Sequence, residues 1–259
     1  MTRRATGADG PASEGALPWR WRLRWIVANR TPPLYDPELA DMIERVRPYT
    51  LTTPPRLIAL RDSVRYIVRH AVEGAVVECG VWRGGSMMAA AIELRRLGDT
   101  SRDLHLFDTF AGPPPETPED APPPYLSHSR LRAGLRRLAR AEPDVPPETP
   151  VAEVRHAVES MGYPPERIVL VEGRVEETLP AQAPDRIALL RLDTDLYAST
   201  RHELEHLYPR LVPGGVLIVD DYGHFPGARA AVDEYFGSTG QRVLLTQVDY
   251  TACVAVKQA

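Results

Sequence analysis

Apolar residues along this chain follow two periods that alternate. Leu57, Leu60, Val64, Ile67, Val68 and Val72 recur at helical spacing over residues 56–72. Short unbroken apolar runs then predict strands at Ala75–Cys79, Leu104–Asp108, Ile168–Glu172, 187–193 and 216–220. Between them the spacing predicts helices at 86–97, at 199–211 and around 227–236. A further helix, with Val151, Val154, Val158 and Met161 on one face, precedes the third strand. Two last runs, 242–248 and 252–256, are joined by Asp249-Tyr250-Thr251 and predict a terminal β-hairpin. Strands alternating with helices indicate an α/β fold. The expectation is a seven-stranded, mostly parallel sheet covered on both faces, with the C-terminal hairpin antiparallel.

Two stretches break the pattern. Residues 111–150 hold 11 of the 26 prolines, which excludes a continuous helix or central strand. A short helix is predicted inside them, with Leu131, Leu135 and Leu138 on one face and several arginines around it. This insertion follows the second strand, at the edge where ligands bind. It reads as a mobile lid, with a plain linker as the alternative. Residues 1–55 read as an N-terminal arm, disordered over 1–16. In it Trp19, Trp21 and Trp25 alternate with Arg20, Arg22 and Arg24. That stretch suits packing on the body or on a partner subunit, or a membrane-surface anchor. Residues 56–259 are then one domain carrying the lid insertion.

Composition changes this picture little. The chain has 259 residues, is 43% hydrophobic and 25% charged, and carries a formal charge of -4. The charge argues against nucleic acid as a partner. The two cysteines, Cys79 and Cys253, form neither a disulfide framework nor a zinc cluster. No apolar stretch is long enough to span a membrane, and no signal peptide is legible, so a cytoplasmic location is expected.

The candidate chemistry lies at strand ends. Asp193 ends one predicted strand, and Asp220 and Asp221 end another. Ligands of open parallel sheets bind beyond the carboxyl ends of the strands. Converging carboxylates repel unless a cation lies between them, and hard oxygen ligands favour magnesium. Asp195 reads as readily as a helix cap or loop carboxylate as it does a site residue. The first strand ends in Glu78-Cys79-Gly80-Val81-Trp82-Arg83-Gly84-Gly85-Ser86, an acid followed by a glycine-rich turn that opens a helix. The spacing is not that of a dinucleotide motif, which disfavours a nicotinamide enzyme. Asp108 ends the next strand, where an acid commonly binds ribose hydroxyls. S-adenosylmethionine fits this set, with its amino group near Glu78 and its ribose on Asp108.

Four segments resemble the macrocin O-methyltransferase family (the TylF/MycF/NovP type). They are Val77–Ser86 in its entirety, Leu106-Phe107-Asp108-Thr109-Phe110-Ala111-Gly112, Leu192-Asp193-Thr194-Asp195-Leu196-Tyr197-Ala198-Ser199-Thr200 and Val219-Asp220-Asp221-Tyr222-Gly223. The resemblance spans roughly residues 50–257. It implies a class I, Rossmann-like methyltransferase fold and magnesium-dependent methylation of deoxysugar hydroxyls in antibiotic biosynthesis. It also implies glycosylated natural products as acceptors and a homodimer or larger homo-oligomer. By the same resemblance the metal ligands are Asp193, Asp220 and Asp221. The cofactor contacts are Glu78, Gly80, Ser86, Asp108, Glu172 and Gly173. Metal-assisted transfer needs a base for the hydroxyl proton, and Asp193 is expected to serve as ligand and base. Tyr197 and Tyr222 either line the sugar pocket or close the core. His224 touches the acceptor, acts as an auxiliary base or has no role. Two other functions fit the same fold. One is a phenolic or catechol acceptor, disfavoured because the only lysine is Lys257. The other is a non-catalytic, cofactor-binding partner subunit.

Overall fold

The computed structural model describes residues 36–121 and 148–258. The calls on the Trp/Arg stretch and on the helix of the proline-rich insertion lie outside the described residues. Two helices come first, α1 (Pro37–Val46) and α2 (Pro54–Arg69). Strand and helix then alternate through β1 (Ala75–Cys79), α3 (Gly85–Arg96), β2 (Leu104–Asp108), α4 (Val151–Glu159) and β3 (Ile168–Glu172). The second half runs α5 (Val175–Thr178), β4 (Ile187–Leu192), α6 (Tyr197–Leu207), β5 (Leu211–Val219) and α7 (Pro226–Thr239). It closes on β6 (Thr246–Gln247) and β7 (Cys253–Val256).

The seven strands form one sheet in the order β3-β2-β1-β4-β5-β7-β6. β1 to β5 are parallel, and β7 is antiparallel to both β5 and β6. The chain builds outward from β1 to β3, then crosses back to lay β4 on the other side of β1. The carboxyl ends of β1 and β4 therefore flank the topological switch point, where such sheets open a ligand crevice.

Period-two alternation divides the core between two faces. Val76, Leu104, Leu106, Leu189, Val216 and Ile218 pack with α1, α2, α3 and α4. Val77, Cys79, Leu190, Leu192, Leu217 and Val219 pack with α5, α6 and α7 on the other face. The same parity fixes the polar strand ends. Glu78 follows Val76, Arg191 and Asp193 follow Leu189, and Asp220 follows Ile218, so all four belong to the face that α2 and α3 cover. The register sets Glu78 beside Arg191, and Arg191 beside Ile218.

The predicted elements differ from the observed ones at their ends. The helix expected over 199–211 begins at Tyr197 and stops at Leu207, because Pro209 turns the next three residues into a 3₁₀ helix. β5 begins at Leu211, five residues before the predicted start. Pro213, Gly214 and Gly215 form an irregularity inside the strand, with Gly214 at φ +80°, yet the pairing continues through them; Gly214 N–H donates to Lys257 O and Lys257 N–H to Gly215 O, both at 2.8 Å. The hairpin's first strand shrinks to Thr246–Gln247. α1 is an addition: within the predicted arm, Leu39, Met42, Ile43 and Val46 sit at i, i+3, i+4 and i+7 and join the core. Both cysteines are buried and free. Among the described residues, no helix is long and apolar enough to cross a membrane.

Candidate active site

The glycine turn after β1 is shaped by its neighbours. Gly80 has φ +81°, and a Cβ there would lie 1.9 Å from Asp193 O. Only glycine lets the ends of β1 and β4 close to the 2.9 Å bond from Asp193 N–H to Cys79 O. Asp108 ties the turn down from β2. Its Oδ2 accepts from the backbone N–H of Val81 at 2.6 Å and Trp82 at 2.8 Å, and its Oδ1 accepts from Phe110 N–H at 2.7 Å. With about four lone-pair sites on the carboxylate and three of them used, Oδ1 keeps acceptor capacity for a ligand hydroxyl. Trp82, Phe110 and Asp195 all hold positive φ, at 48°, 53° and 66°. Left-handed backbone in residues other than glycine is costly and often marks working sites; three of the four described instances lie at the carboxyl edge of the sheet, the fourth being Ala71 ahead of β1.

Glu78 is buried at the end of β1. Its Oε1 accepts from Arg191 Nη1, and the nearby Ser86 hydroxyl also favours the ionised carboxyl. Its Oε2 is buried without a partner among the described residues. A buried acceptor left open costs free energy unless a donor fills it. Burial pushes the Glu78 carboxyl up to about 7 against the pull of Arg191. A cationic amino group on Oε2 would satisfy the oxygen and restore the charge, so the residues fit the cofactor's amino end. Ser86 also lies 3.5 Å from Thr52 Oγ1, in the segment that enters α2.

The predicted carboxylate triad is divided by the structure. One oxygen each from Asp193, Asp195 and Asp221 lies within 4.8 Å of the others. The loop that brings them together is fastened by Asp195 N–H, which donates to Asp221 Oδ2 at 3.1 Å. Asp220 stands behind them, buried, with Oδ1 accepting from Arg191 Nη2 at 2.6 Å and Oδ2 accepting from Arg56. Burial raises the carboxyls of Asp193, Asp195 and Asp221 above the ordinary range, and mutual repulsion adds to it, while Arg191 opposes the rise at Asp193. Hard, crowded carboxylate oxygens whose protons are hard to remove are what a divalent cation of magnesium type relieves.

The remaining candidates lie farther out. Glu172 is exposed at the end of edge strand β3, and Gly173 donates its N–H to Asp108 O at 3.0 Å. Tyr197 Oη donates to Glu234 at 2.7 Å, and Tyr222 Oη donates to Asp233 at 2.7 Å. Both tyrosines thus brace the loops after β4 and β5 against α7. His224 is exposed and meets the rings of Phe225 and Tyr250 edge-on.

Three residues outside the predicted set shape the site: Asp195, Arg56 and Arg191. Asp195 was legible as the second acid of Asp193-Thr194-Asp195. Arg191 was legible as a charge inside an otherwise apolar strand. Arg56 carries no local signal, because it reaches Asp220 across 164 positions of sequence.

Known proteins resemble the chain over most of its length. A family model described as Macrocin-O-methyltransferase (TylF) matches residues 44–257. The 8-demethyl-8-(2,3-dimethoxy-alpha-L-rhamnosyl)-tetracenomycin-C 4'-O-methyltransferase of Streptomyces olivaceus is 35% identical, with 85% of this chain and 79% of that protein covered. Mycinamicin III 3''-O-methyltransferase of Micromonospora griseorubida is 33% identical over 78% of this chain and 75% of that protein. Among solved structures, the O-methyltransferase NovP superposes with a TM-score of 0.67 at 31% identity, covering 82% of this chain and 83% of that one. CalS11, a calicheamicin methyltransferase, superposes with a TM-score of 0.60 at 23% identity, over 97% of this chain and 99% of that one, a likeness of fold.

Proposed function

The chain belongs to the macrocin O-methyltransferase family, and from that premise we propose that it methylates a hydroxyl of a deoxysugar on a glycosylated natural product, using S-adenosylmethionine and a magnesium-type cation. The observation that carries this reading is the pairing of two unlike charge sites at one switch point. Glu78, with an open buried oxygen, ends β1; the cluster of Asp193, Asp195 and Asp221 follows β4 and β5. Relatives named for methylation of antibiotic sugars support the acceptor class.

When bound, S-adenosylmethionine supplies the methyl group, and a divalent cation supplies the Lewis acidity that makes an alcohol proton removable. Glu78 anchors the cofactor's amino end, with Ser86 and Arg191 orienting its carboxylate. Asp108, besides fixing the turn, would hold a ribose hydroxyl through Oδ1. Asp193 and Asp221 are the side chains that would hold the cation, and Asp220 backs them as counter-ion to Arg56 and Arg191. The acceptor proton passes to Asp195. The sequence gives that part to Asp193, but Asp193 Oδ2 already accepts from Arg191 at 2.7 Å. Asp195 lies in the same cluster with its carboxyl raised by burial, which suits a base working near neutral pH. Alignment of donor and hydroxyl supplies much of the remaining acceleration. Family membership also suggests a homo-oligomer.

The test is transfer of labelled methyl from S-adenosylmethionine to a panel of glycosylated natural products, for wild type, Asp195→Asn and Asp193→Asn. Asp195→Asn should lose roughly 10²-fold or more in kcat while S-adenosylhomocysteine still binds. Asp193→Asn should lose magnesium affinity. Near-normal kcat in Asp195→Asn with magnesium bound would remove the base assignment, and an absence of methylated product across the panel would remove the acceptor class.

A further inference from the structure

Arg191 stands on the strand between the two halves of the site and touches both. Nη1 donates to Glu78 on the cofactor side, and to Asp193 Oδ2 on the cation side at 2.7 Å. Nη2 donates to Asp220 Oδ1 at 2.6 Å and to Thr52 Oγ1 at 3.2 Å. The Arg191 side chain is 3% exposed, and Glu78 and Asp220 are as deeply buried, so solvent screens these two contacts little, while Asp193 opens toward solvent. A planar fork of five donors can span three carboxylates at once; a lysine ammonium, a point charge, cannot hold that geometry. Sheet parity makes the arrangement unavoidable, because Glu78, Arg191 and Asp220 share one face and Arg191 occupies the middle strand.

We infer that Arg191 is a positioning residue that couples the two binding events, so that a divalent cation at the aspartate cluster tightens the cofactor site at Glu78. This rests on the function proposed above. Nη1 is divided between Glu78 and Asp193. A cation bound at Asp193 competes with Arg191 for that carboxylate's charge. The guanidinium is then left more fully to Glu78, which it holds ionised and aimed. The open Oε2 of Glu78 receives the cofactor's amino group more strongly as a result. Linkage requires the effect to be reciprocal: the cofactor must tighten the cation by the same factor.

The probes are magnesium and S-adenosylhomocysteine, which lacks the sulfonium charge and so leaves only the amino group held at Glu78 to repel the cation. Calorimetric titration of the full chain should show magnesium lowering the S-adenosylhomocysteine Kd roughly fivefold or more, the lower end of common coupling factors. S-adenosylhomocysteine should lower the magnesium Kd by the same factor. In Arg191→Lys both ligands should still bind singly, with the factor reduced to within about twofold. A wild-type-sized factor in Arg191→Lys overturns the inference. So does wild type that binds both ligands independently, which leaves the proposed function standing. Wild type that binds neither ligand overturns the proposed function, and this inference with it. Should Arg191→Lys not fold, Glu78→Gln carries the test. Its amide cannot form the ion pair, so the factor should fall toward one while magnesium still binds, and a retained factor overturns the inference.

Discussion

At the scale of single residues, the site is a problem of uncompensated charge. Glu78 shows it most clearly. Its carboxyl titrates near 4.5 when unperturbed and is pushed up to about 7 by burial. The folded protein therefore binds this proton more tightly than the unfolded chain does. The ligand-free protein is stabilised most below about pH 4.5 on account of Glu78, and this contribution is lost as pH rises to about 7. Glu78→Gln removes the dependence. Between about pH 5 and about pH 8 its thermal stability should fall less than that of wild type, a comparison that differential scanning calorimetry makes directly. Equal slopes would show that Glu78 titrates elsewhere. The acids themselves were legible in sequence because each interrupts an apolar run at its end. Their partners were less so. Arg191 was visible as a misplaced charge, whereas the contact of Arg56 with Asp220 exists only once α2 lies over the sheet.

At the scale of elements, turns decide how closely the carboxylates approach. Two glycines in the described chain separate the effect of strained backbone from that of contact. Gly80 and Gly98 have similar φ, +81° and +74°. A Cβ at Gly80 would strike Asp193 O at 1.9 Å, while a Cβ at Gly98 meets nothing within 4 Å. Gly98→Ala should cost about 1 kcal/mol, the backbone term. Gly80→Ala should cost at least about 2 kcal/mol more and weaken magnesium and S-adenosylhomocysteine together, because β1 and β4 must part. Denaturation by urea and calorimetry check both, and equal costs at the two positions would contradict the close approach. Element types were readable from periodicity, and most element ends were not. β5 extends before its apolar run because backbone bonds between Gly214, Gly215 and Lys257 carry the pairing through Pro213-Gly214-Gly215, where no apolar pattern marks a strand. α1 had an Asp36 cap that accepts from Leu39 N–H at 3.0 Å, Pro37 at its start and a regular apolar stripe. It was legible but lay in a stretch read as an arm.

At the scale of the whole molecule, the topology produces the function. Two crossovers in opposite directions from β1 leave a crevice between β1 and β4, and alternation places Glu78, Arg191, Asp193 and Asp220 on one face of it. The proposed sugar acceptor has no such signature in sequence, because irregular loops carry no periodic pattern from which contacts can be read. The central claim is metal-assisted methylation of a sugar hydroxyl. Its most direct measurement is methyl transfer to a glycosylated acceptor and to the matching sugar-free scaffold, after EDTA treatment and again after magnesium is restored. The prediction is a methylated glycoside only, with turnover lost in EDTA and recovered with magnesium. Methylation of the sugar-free scaffold, or turnover indifferent to EDTA, would contradict it.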